Sequence, residues 1–345
     1  MTGVLGASEQ PLHQGYDAAL IDLDGVVYRG PLPVPGAAEA IAAVRESGLR
    51  VAFVTNNASR APAVVAAALT DLGIPASPAD VVTAAHAAAA LLADRLPPPA
   101  VVLVTGAPAL HTAVAEAGFT PVRSADDRPA AVVSGYDSSL DYGQLAEATL
   151  AVGAGALWVA ANLDNTLPSP RGLLPGNGAL VAAVAVATGR RPLCAGKPAR
   201  ALYDEAIRRT GAQHPLVVGD RLDTDIAGAV SAGLDSLVVL TGVARPRDLL
   251  EAAPLARPTY LAADLCGLLV AHEAPRLAAG SARCGQWSAA LKGSTVEVTR
   301  TAPLTVPAAA GDLDGLRAAC LVAWVAVDSG RQGADLRVVG LASSC

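Results

Sequence analysis

The sequence predicts an α/β fold: a Rossmann-like parallel-sheet core, an α/β unit inserted into it, and a small C-terminal α/β module. Three observations carry this. Short apolar runs alternate with stretches of helical length at the spacing of βαβ units on a parallel sheet. The alternation starts a new series at about residue 82 and returns to its first pattern after about residue 192. A looser stretch, 271–285, then precedes a final strand–helix–strand pattern.

Taken in order, Ala18-Ala19-Leu20-Ile21 reads as a short buried strand ending in Asp22-Leu23-Asp24-Gly25. A helix is expected from Pro35-Gly36 to Ser47, where Gly48 stops it. A second buried strand, Val51-Ala52-Phe53-Val54, ends in Thr55-Asn56-Asn57, and the next helix has Ser59 as cap candidate and Pro62 in its first turn. The inserted series contains an Ala-rich helix at 84–95, a Pro97-Pro98-Pro99 break, and strands at 101–104, 130–133 and 157–161. A helix at 141–152 and an Asn/Pro/Gly loop at 162–177 complete it, before a helix ending near Thr188. The first pattern resumes with Leu216-Val217-Val218 leading into Gly219-Asp220, a helix from about 224 and a strand at 237–240. Boundaries of 15–81 and 193–270 for the core, 82–192 for the insert and 283–345 for the tail module follow.

Composition narrows the function classes. The chain has 345 residues, enough for two or three domains, and a net charge of −6. With no Lys/Arg cluster, nucleic acid is not an expected partner, whereas a small anionic substrate can still find a local positive site. Apolar runs such as 316–327 are shorter than the roughly 20 residues that span a bilayer. MTGVLGASEQPLHQG lacks the basic and apolar regions of a signal peptide, so the expected location is cytoplasmic. Cys194, Cys266, Cys284, Cys320 and Cys345 are scattered without a C-x-x-C pair, which argues against a disulfide framework or a thiolate zinc site. His13, His86, His111, His214 and His272 show no metal-ligand spacing.

Three strands therefore end in polar clusters: Asp22/Asp24, Thr55/Asn56/Asn57 and Asp220/Asp225. Ligands of open parallel sheets sit beyond the carboxyl ends of the strands. Lys197, in Gly196-Lys197-Pro198, precedes the helix that leads into the third of these strands and can join them. Clustered carboxylates repel one another and favour a divalent cation; magnesium suits an all-oxygen set. A carboxylate nucleophile splits hydrolysis into two easier steps, and a second acid two residues away can protonate the leaving oxygen and later activate water. A hydroxyl, backbone amides and a lysine would neutralise charge on the transferring group. Each motif alone has a plainer reading, as a turn, a loop or a helix start. Their occurrence in this order and at these places points to phosphoryl transfer.

The strings IDLDGVVYRG, VTNN, GKP and VGDRLDTDI resemble the haloacid dehalogenase superfamily of phosphatases over residues 15–269. Within it they resemble the branch with a C2-type cap inserted between the second and third motifs, which includes 4-nitrophenylphosphatase-like and phosphoglycolate phosphatases. The resemblance implies Asp22 as nucleophile and magnesium ligand. It implies Asp24 as general acid/base, ligating the metal through its backbone carbonyl. Thr55, Asn56 and Asn57 would hold phosphoryl oxygens, Lys197 would orient Asp22 and the phosphate, Asp220 would ligate magnesium, and Asp225 would be an auxiliary acid. An acid at position 24 separates a phosphatase from the dehalogenases of this fold.

The insert is expected to act as a lid, with Asn162, Asp164 and Arg171 as candidate substrate contacts. Gly176-Asn177-Gly178 lacks the third glycine of a dinucleotide fingerprint, so that reading is rejected. A cap-bearing phosphatase with a C-terminal module resembles the actinobacterial glycerol 3-phosphate phosphatases, whose tail looks like a truncated acetyltransferase. The tail here has no pyrophosphate-binding glycine loop, so no acetyltransferase activity is expected; a packing or oligomerisation role is expected of it, with a regulatory binding site as the alternative. Glycerol 3-phosphate is thus the first substrate expected, with phosphoglycolate, a nucleotide and pyridoxal phosphate as alternatives. A phosphotransferase and a non-catalytic phospho-aspartate sensor are alternative activities, and a homodimer is left open.

Overall fold

The computed structural model describes residues 5–169, 171–278, 280–301, 313–331 and 337–340. Its contacts divide the chain into two compact units, one of residues 1–51 with 212–345 and one of residues 52–211.

In the first unit four parallel strands lie side by side in the order Tyr260–Ala262, Asp235–Val239, Pro215–Gly219, Ala18–Ile21. Residue 18 pairs with 215 and residue 21 with 218, so Asp22 and Asp220 leave neighbouring strands at the same end. All four residues of Ala18–Ile21 are buried, the signature of a strand covered on both faces. The helix Ala37–Glu46 follows, ending where Gly48 takes φ +92. Pro215–Gly219 is followed by a wide π-type turn, Leu222–Ile226, before the short helix Ala227–Ala232.

The tail completes this unit with a sheet ordered Arg276–Ala278, Ser281–Cys284, Trp287–Lys292, Thr295–Arg300, Arg337–Val339. Its first two strands fall in the stretch read from the sequence as loose. Alternation is present there, but small residues carry it: Ala282 and Cys284 are buried while Arg283 between them is exposed. The helix Asp314–Asp328 packs on this sheet through Leu316, Cys320, Ala323 and Trp324. Those side chains share one apolar cluster with Ile226, Val238, Leu249 and Leu261 of the parallel-sheet region. Arg257 reinforces the junction: it is 3% exposed, pairs with Asp328 through both guanidinium nitrogens (2.8 and 2.7 Å) and lies 5.1 Å from the Trp324 ring.

In the second unit Thr55 pairs with Thr83 at the end of a parallel pair, Arg50–Thr55 with Val81–Thr83. A separate all-parallel sheet runs Leu193–Cys194, Leu157–Ala160, Ala131–Ser134, Val101–Thr105, Thr120–Val122. The unit reaches beyond the expected limits of the insert because the helix Ala84–Ala93 packs against both Pro108–Glu116 and Ala201–Thr210. The 162–177 segment, expected as a loop, holds an antiparallel hairpin, Thr166–Ser169 with Gly172–Pro175. Its residues are half-buried or exposed, so no buried apolar run announced it. Ser59 does not cap the helix Pro62–Asp71; the cap position is Ala61, and the Ser59 amide and hydroxyl both donate to Asn57 Oδ1 (2.8 and 3.0 Å). No described helix is long and apolar enough to cross a membrane.

Candidate active site

In the first unit, carboxylate oxygens of Asp22, Asp220 and Asp225 lie within 4.8 Å of one another. Asp220 is fully buried and Asp225 is 1% exposed. Three glycines make room for them. A Cβ on Gly25 or Gly242 would overlap the Asp220 carboxylate, and one on Gly219 would overlap Asp225. Gly25 also takes φ +93, a conformation that L side chains rarely adopt. Asp220 is held in place by the Val243 N–H, which donates to Oδ2 (2.6 Å), while its backbone carbonyl accepts the Ala244 N–H (2.8 Å). Asp225 Oδ2 accepts the Arg221 N–H (3.1 Å) across the wide turn. The segment 241–244 was not singled out from the sequence. Its signal was there, a Thr-Gly pair directly after a buried strand, and Thr241 Oγ1 donates to the Gly25 carbonyl (2.6 Å).

Asp24 is exposed, one residue beyond buried Leu23. A tight turn follows it, in which the Leu23 carbonyl accepts the Val27 N–H (2.9 Å) and the Tyr28 carbonyl accepts the Gly25 N–H (2.7 Å). Asp22 and Asp24 therefore leave the same strand end into different surroundings, one toward the buried acids and one toward solvent.

The cluster fits a hard divalent cation. Two carboxylates about 5 Å apart repel by about 3 kcal/mol at an effective dielectric near 20, and the trio multiplies that pairwise penalty. All three side chains offer oxygen, the donor magnesium and calcium take, and among the described residues no thiol or imidazole belongs to this cluster.

In the second unit, the half-buried loop Thr55-Asn56-Asn57 begins where the strand Arg50–Thr55 ends. Thr55 Oγ1 accepts the Asn57 N–H (3.1 Å), and Asn57 Oδ1 in turn accepts the Arg60 N–H (3.0 Å). Lys197 is 4% exposed, and its Nζ donates to the Val54 carbonyl (3.3 Å). The Asn56 side chain meets the lysine's backbone on both sides: Oδ1 accepts the Lys197 N–H (2.7 Å) and Nδ2 donates to the Lys197 carbonyl (3.1 Å). Nδ2 also donates to both Asp164 oxygens (3.3 Å each).

Of the three lid candidates, Asn162 is 5% exposed and donates to the Asn56 carbonyl (2.8 Å). Asp164 is half-buried, whereas Arg171 is exposed between the two strands of the hairpin. Gly176 and Gly178 are explained by close approach, since Cβ atoms there would overlap the carbonyls of Asp164 and Leu163. Between them Asn177 donates to the carbonyls of Asn162 (2.6 Å) and Ser134 (3.3 Å). The triplet opens the helix Asn177–Thr188 and packs it against the 162–165 loop.

A parallel sheet whose strand ends carry an acidic trio suits phosphoryl chemistry beside a divalent cation. The haloacid dehalogenase-like hydrolase profile matches residues 19–120, and a second HAD hydrolase-like profile matches residues 194–268. The chain belongs to the haloacid dehalogenase-like hydrolase family. It is 50% identical over 303 residues to the D-glycerol 3-phosphate phosphatase of Mycobacterium tuberculosis, covering 88% of this chain and 81% of that one. An acid sugar phosphatase of Staphylococcus haemolyticus is 38% identical over 254 residues, covering 73% of this chain and 95% of the relative. Among solved structures, the M. tuberculosis glycerol phosphate phosphatase in complex with magnesium superposes with a TM-score of 0.84 at 45% identity, covering 96% of this chain and 95% of that one. The p-nitrophenyl phosphatase of Archaeoglobus fulgidus superposes with a TM-score of 0.68 at 28% identity, covering 74% of this chain and 98% of that one.

Proposed function

We propose that this chain is a magnesium-dependent phosphatase that hydrolyses a small phosphorylated metabolite, glycerol 3-phosphate first among them, through a phospho-aspartate on Asp22. The observation that carries the reading is the convergence of Asp22, Asp220 and Asp225 at the end of adjacent parallel strands. The substrate choice is supported by the 50% identity to a D-glycerol 3-phosphate phosphatase, which extends over 88% of the chain.

In the first step an Asp22 oxygen attacks phosphorus, a new O–P bond forms and the bond to the leaving alcohol breaks. Asp24 gives its proton to the departing alkoxide, a role that suits a carboxyl on the solvent side of the turn. Asp24, now a carboxylate, takes a proton from water as that water attacks the phospho-aspartate, which releases inorganic phosphate and restores Asp22. Thr55 and the backbone N–H of Asn56 hold the phosphoryl oxygens, Asn57 supports Thr55 through its N–H on Oγ1 (3.1 Å), and Lys197 neutralises the phosphoryl charge. The cation's ligands are Asp22, Asp220 and the Asp24 carbonyl, with Asp225 as auxiliary acid. Bound there, the cation supplies positive charge against the phosphoryl oxygens and the acidic trio. The sheet containing Val101–Thr105 and Leu157–Ala160 serves as the lid, which excludes water and brings specificity to the leaving group.

The test is a panel of glycerol 3-phosphate, phosphoglycolate, a sugar phosphate, a nucleoside monophosphate and pyridoxal phosphate, ranked by kcat/KM with magnesium and with chelator. Glycerol 3-phosphate should rank first, and chelator should abolish turnover. Absence of hydrolysis of every ester, 4-nitrophenyl phosphate included, overturns the reading.

A further inference from the structure

Two asparagine side chains lace three loops together, each loop leaving a different strand end. The loops are 55–57 after Arg50–Thr55, 161–165 after Leu157–Ala160, and 195–198 after Leu193–Cys194. The Asn56 amide spans Lys197 from its N–H (2.7 Å) to its carbonyl (3.1 Å). A primary amide has only two N–H bonds. One serves the Lys197 carbonyl, and the other is shared by the two Asp164 oxygens at 3.3 Å. Asn162 reciprocates, donating to the Asn56 carbonyl (2.8 Å) and accepting the Asp164 N–H on Oδ1 (3.2 Å). Asn177 anchors the lace from below, with Nδ2 on the Asn162 carbonyl (2.6 Å). Gly196 completes it: a Cβ there would come within 2.7 Å of both Asn56 Oδ1 and the Ala161 carbonyl.

We infer that Asn56 is a positioning residue for Lys197, not a side-chain donor to the phosphoryl group. The inference rests on the phosphatase reading, in which Lys197 neutralises phosphoryl charge. Both N–H bonds of the amide are engaged, so donation to a phosphoryl oxygen would require breaking the clamp. What the clamp fixes is the direction of the Lys197 Cα–Cβ bond, because it grips the residue's own N–H and carbonyl. A lysine stem has four rotatable bonds; with its base fixed, its stem buried and its Nζ on the Val54 carbonyl (3.3 Å), the place of its charge is set from both ends. An aspartate could not substitute. It would accept the Lys197 N–H but turn an oxygen toward the Lys197 carbonyl and the Asp164 carboxylate.

The test is a double-mutant cycle read as inorganic phosphate affinity, by isothermal titration calorimetry with magnesium present. Asn56→Ala should weaken phosphate binding about tenfold in the Lys197 protein. In the Lys197→Ala protein the same change should cost less than about twofold, because the group it positions is already gone. A full tenfold loss in both backgrounds would make Asn56 an independent phosphate donor and overturn the inference. Gly196→Ala opens the clamp from the other side without deleting a donor and should reproduce the Asn56→Ala weakening; unchanged affinity overturns the inference just as firmly. Circular dichroism melts of all variants separate loss of fold from loss of position. If Lys197→Ala alone leaves phosphate affinity unchanged, it is the underlying assignment of Lys197 that fails, a different outcome from an additive cycle.

Discussion

Trp324→Ala tests whether the C-terminal module is part of the fold that carries the acidic trio. Trp324 is 1% exposed, its Nε1 donates to the Leu249 carbonyl (2.7 Å), and its ring faces the buried Arg257 guanidinium. Removing a buried Trp side chain costs about 3–5 kcal/mol through lost burial and the cavity left behind. Leaving the Leu249 acceptor unmet adds about 1 kcal/mol, and losing the desolvated cation–π contact adds about as much again. These contributions share atoms and do not add fully, so about 5 kcal/mol is the expected total. Domains are stable by only roughly 5–15 kcal/mol, so the melting temperature should fall by about 10–20 °C. The assay is thermal denaturation followed in parallel by far-UV circular dichroism and by residual 4-nitrophenyl phosphate hydrolysis. Because Trp324 shares a cluster with Ile226, which adjoins Asp225, the two signals should move down together. A variant whose activity survives to the wild-type temperature while a separate transition shifts would refute a shared core.

The other predictions address the site and its surroundings. Asp22→Asn should abolish turnover with the melting curve retained, and appreciable residual hydrolysis would contradict its role as nucleophile. Asp24→Asn should lose far more activity on glycerol 3-phosphate than on 4-nitrophenyl phosphate, whose leaving group needs no proton; equal losses in kcat would remove the acid role. Gly242→Ala should weaken magnesium binding, seen by calorimetry, because its Cβ overlaps the Asp220 carboxylate; wild-type affinity would show that Asp220 need not sit where it does. Burial, reinforced by Arg209, lowers the His86 pKa from 6.5 to about 4, so the folded protein keeps the ring neutral where the unfolded chain protonates it. Stability from this source is complete above pH 6.5 and is lost as pH falls toward about 4, by about 2–3 kcal/mol in all. His86→Gln should flatten that part of a urea-midpoint profile against pH.

What the sequence made legible was the set of groups that must be adjacent to a strand end. Asp22, Thr55 and Asp220 each follow a buried apolar run, and period and composition are enough to find such runs. The parallel sheet followed from the same runs. Less legible were features whose cause lies elsewhere in the chain. Gly196, Gly176 and Gly178 look like ordinary loop glycines until the carbonyls of 161, 163 and 164 are seen against them. Asn56 suits a phosphate site by its neighbours in sequence, but nothing local reveals that its side chain meets a backbone 141 positions away. The first three tail strands escaped for a different reason: Ala282, Cys284 and Ala289 are buried, yet small side chains give a weak alternation signal.

The two halves of the proposed machinery meet one physical problem by related means. Neutral backbone groups help to place the acidic trio: strand ends set Asp22 and Asp220, the Val243 N–H fixes one Asp220 oxygen, the Arg221 N–H fixes one of Asp225, and glycines clear the volume. A lysine that must meet a dianion cannot be held by a neighbouring carboxylate alone, since that would neutralise the charge it has to offer. Asn56 is the alternative, a neutral amide that grips the lysine's backbone and keeps the Asp164 carboxylate engaged on its own N–H. In each case neutral dipoles on the chain share in setting the geometry. Asn56→Asp tests that principle without altering size: one added negative charge at the clamp should lower phosphate affinity more than Asn56→Ala does, and an Asp variant that binds phosphate as well as wild type would refute it.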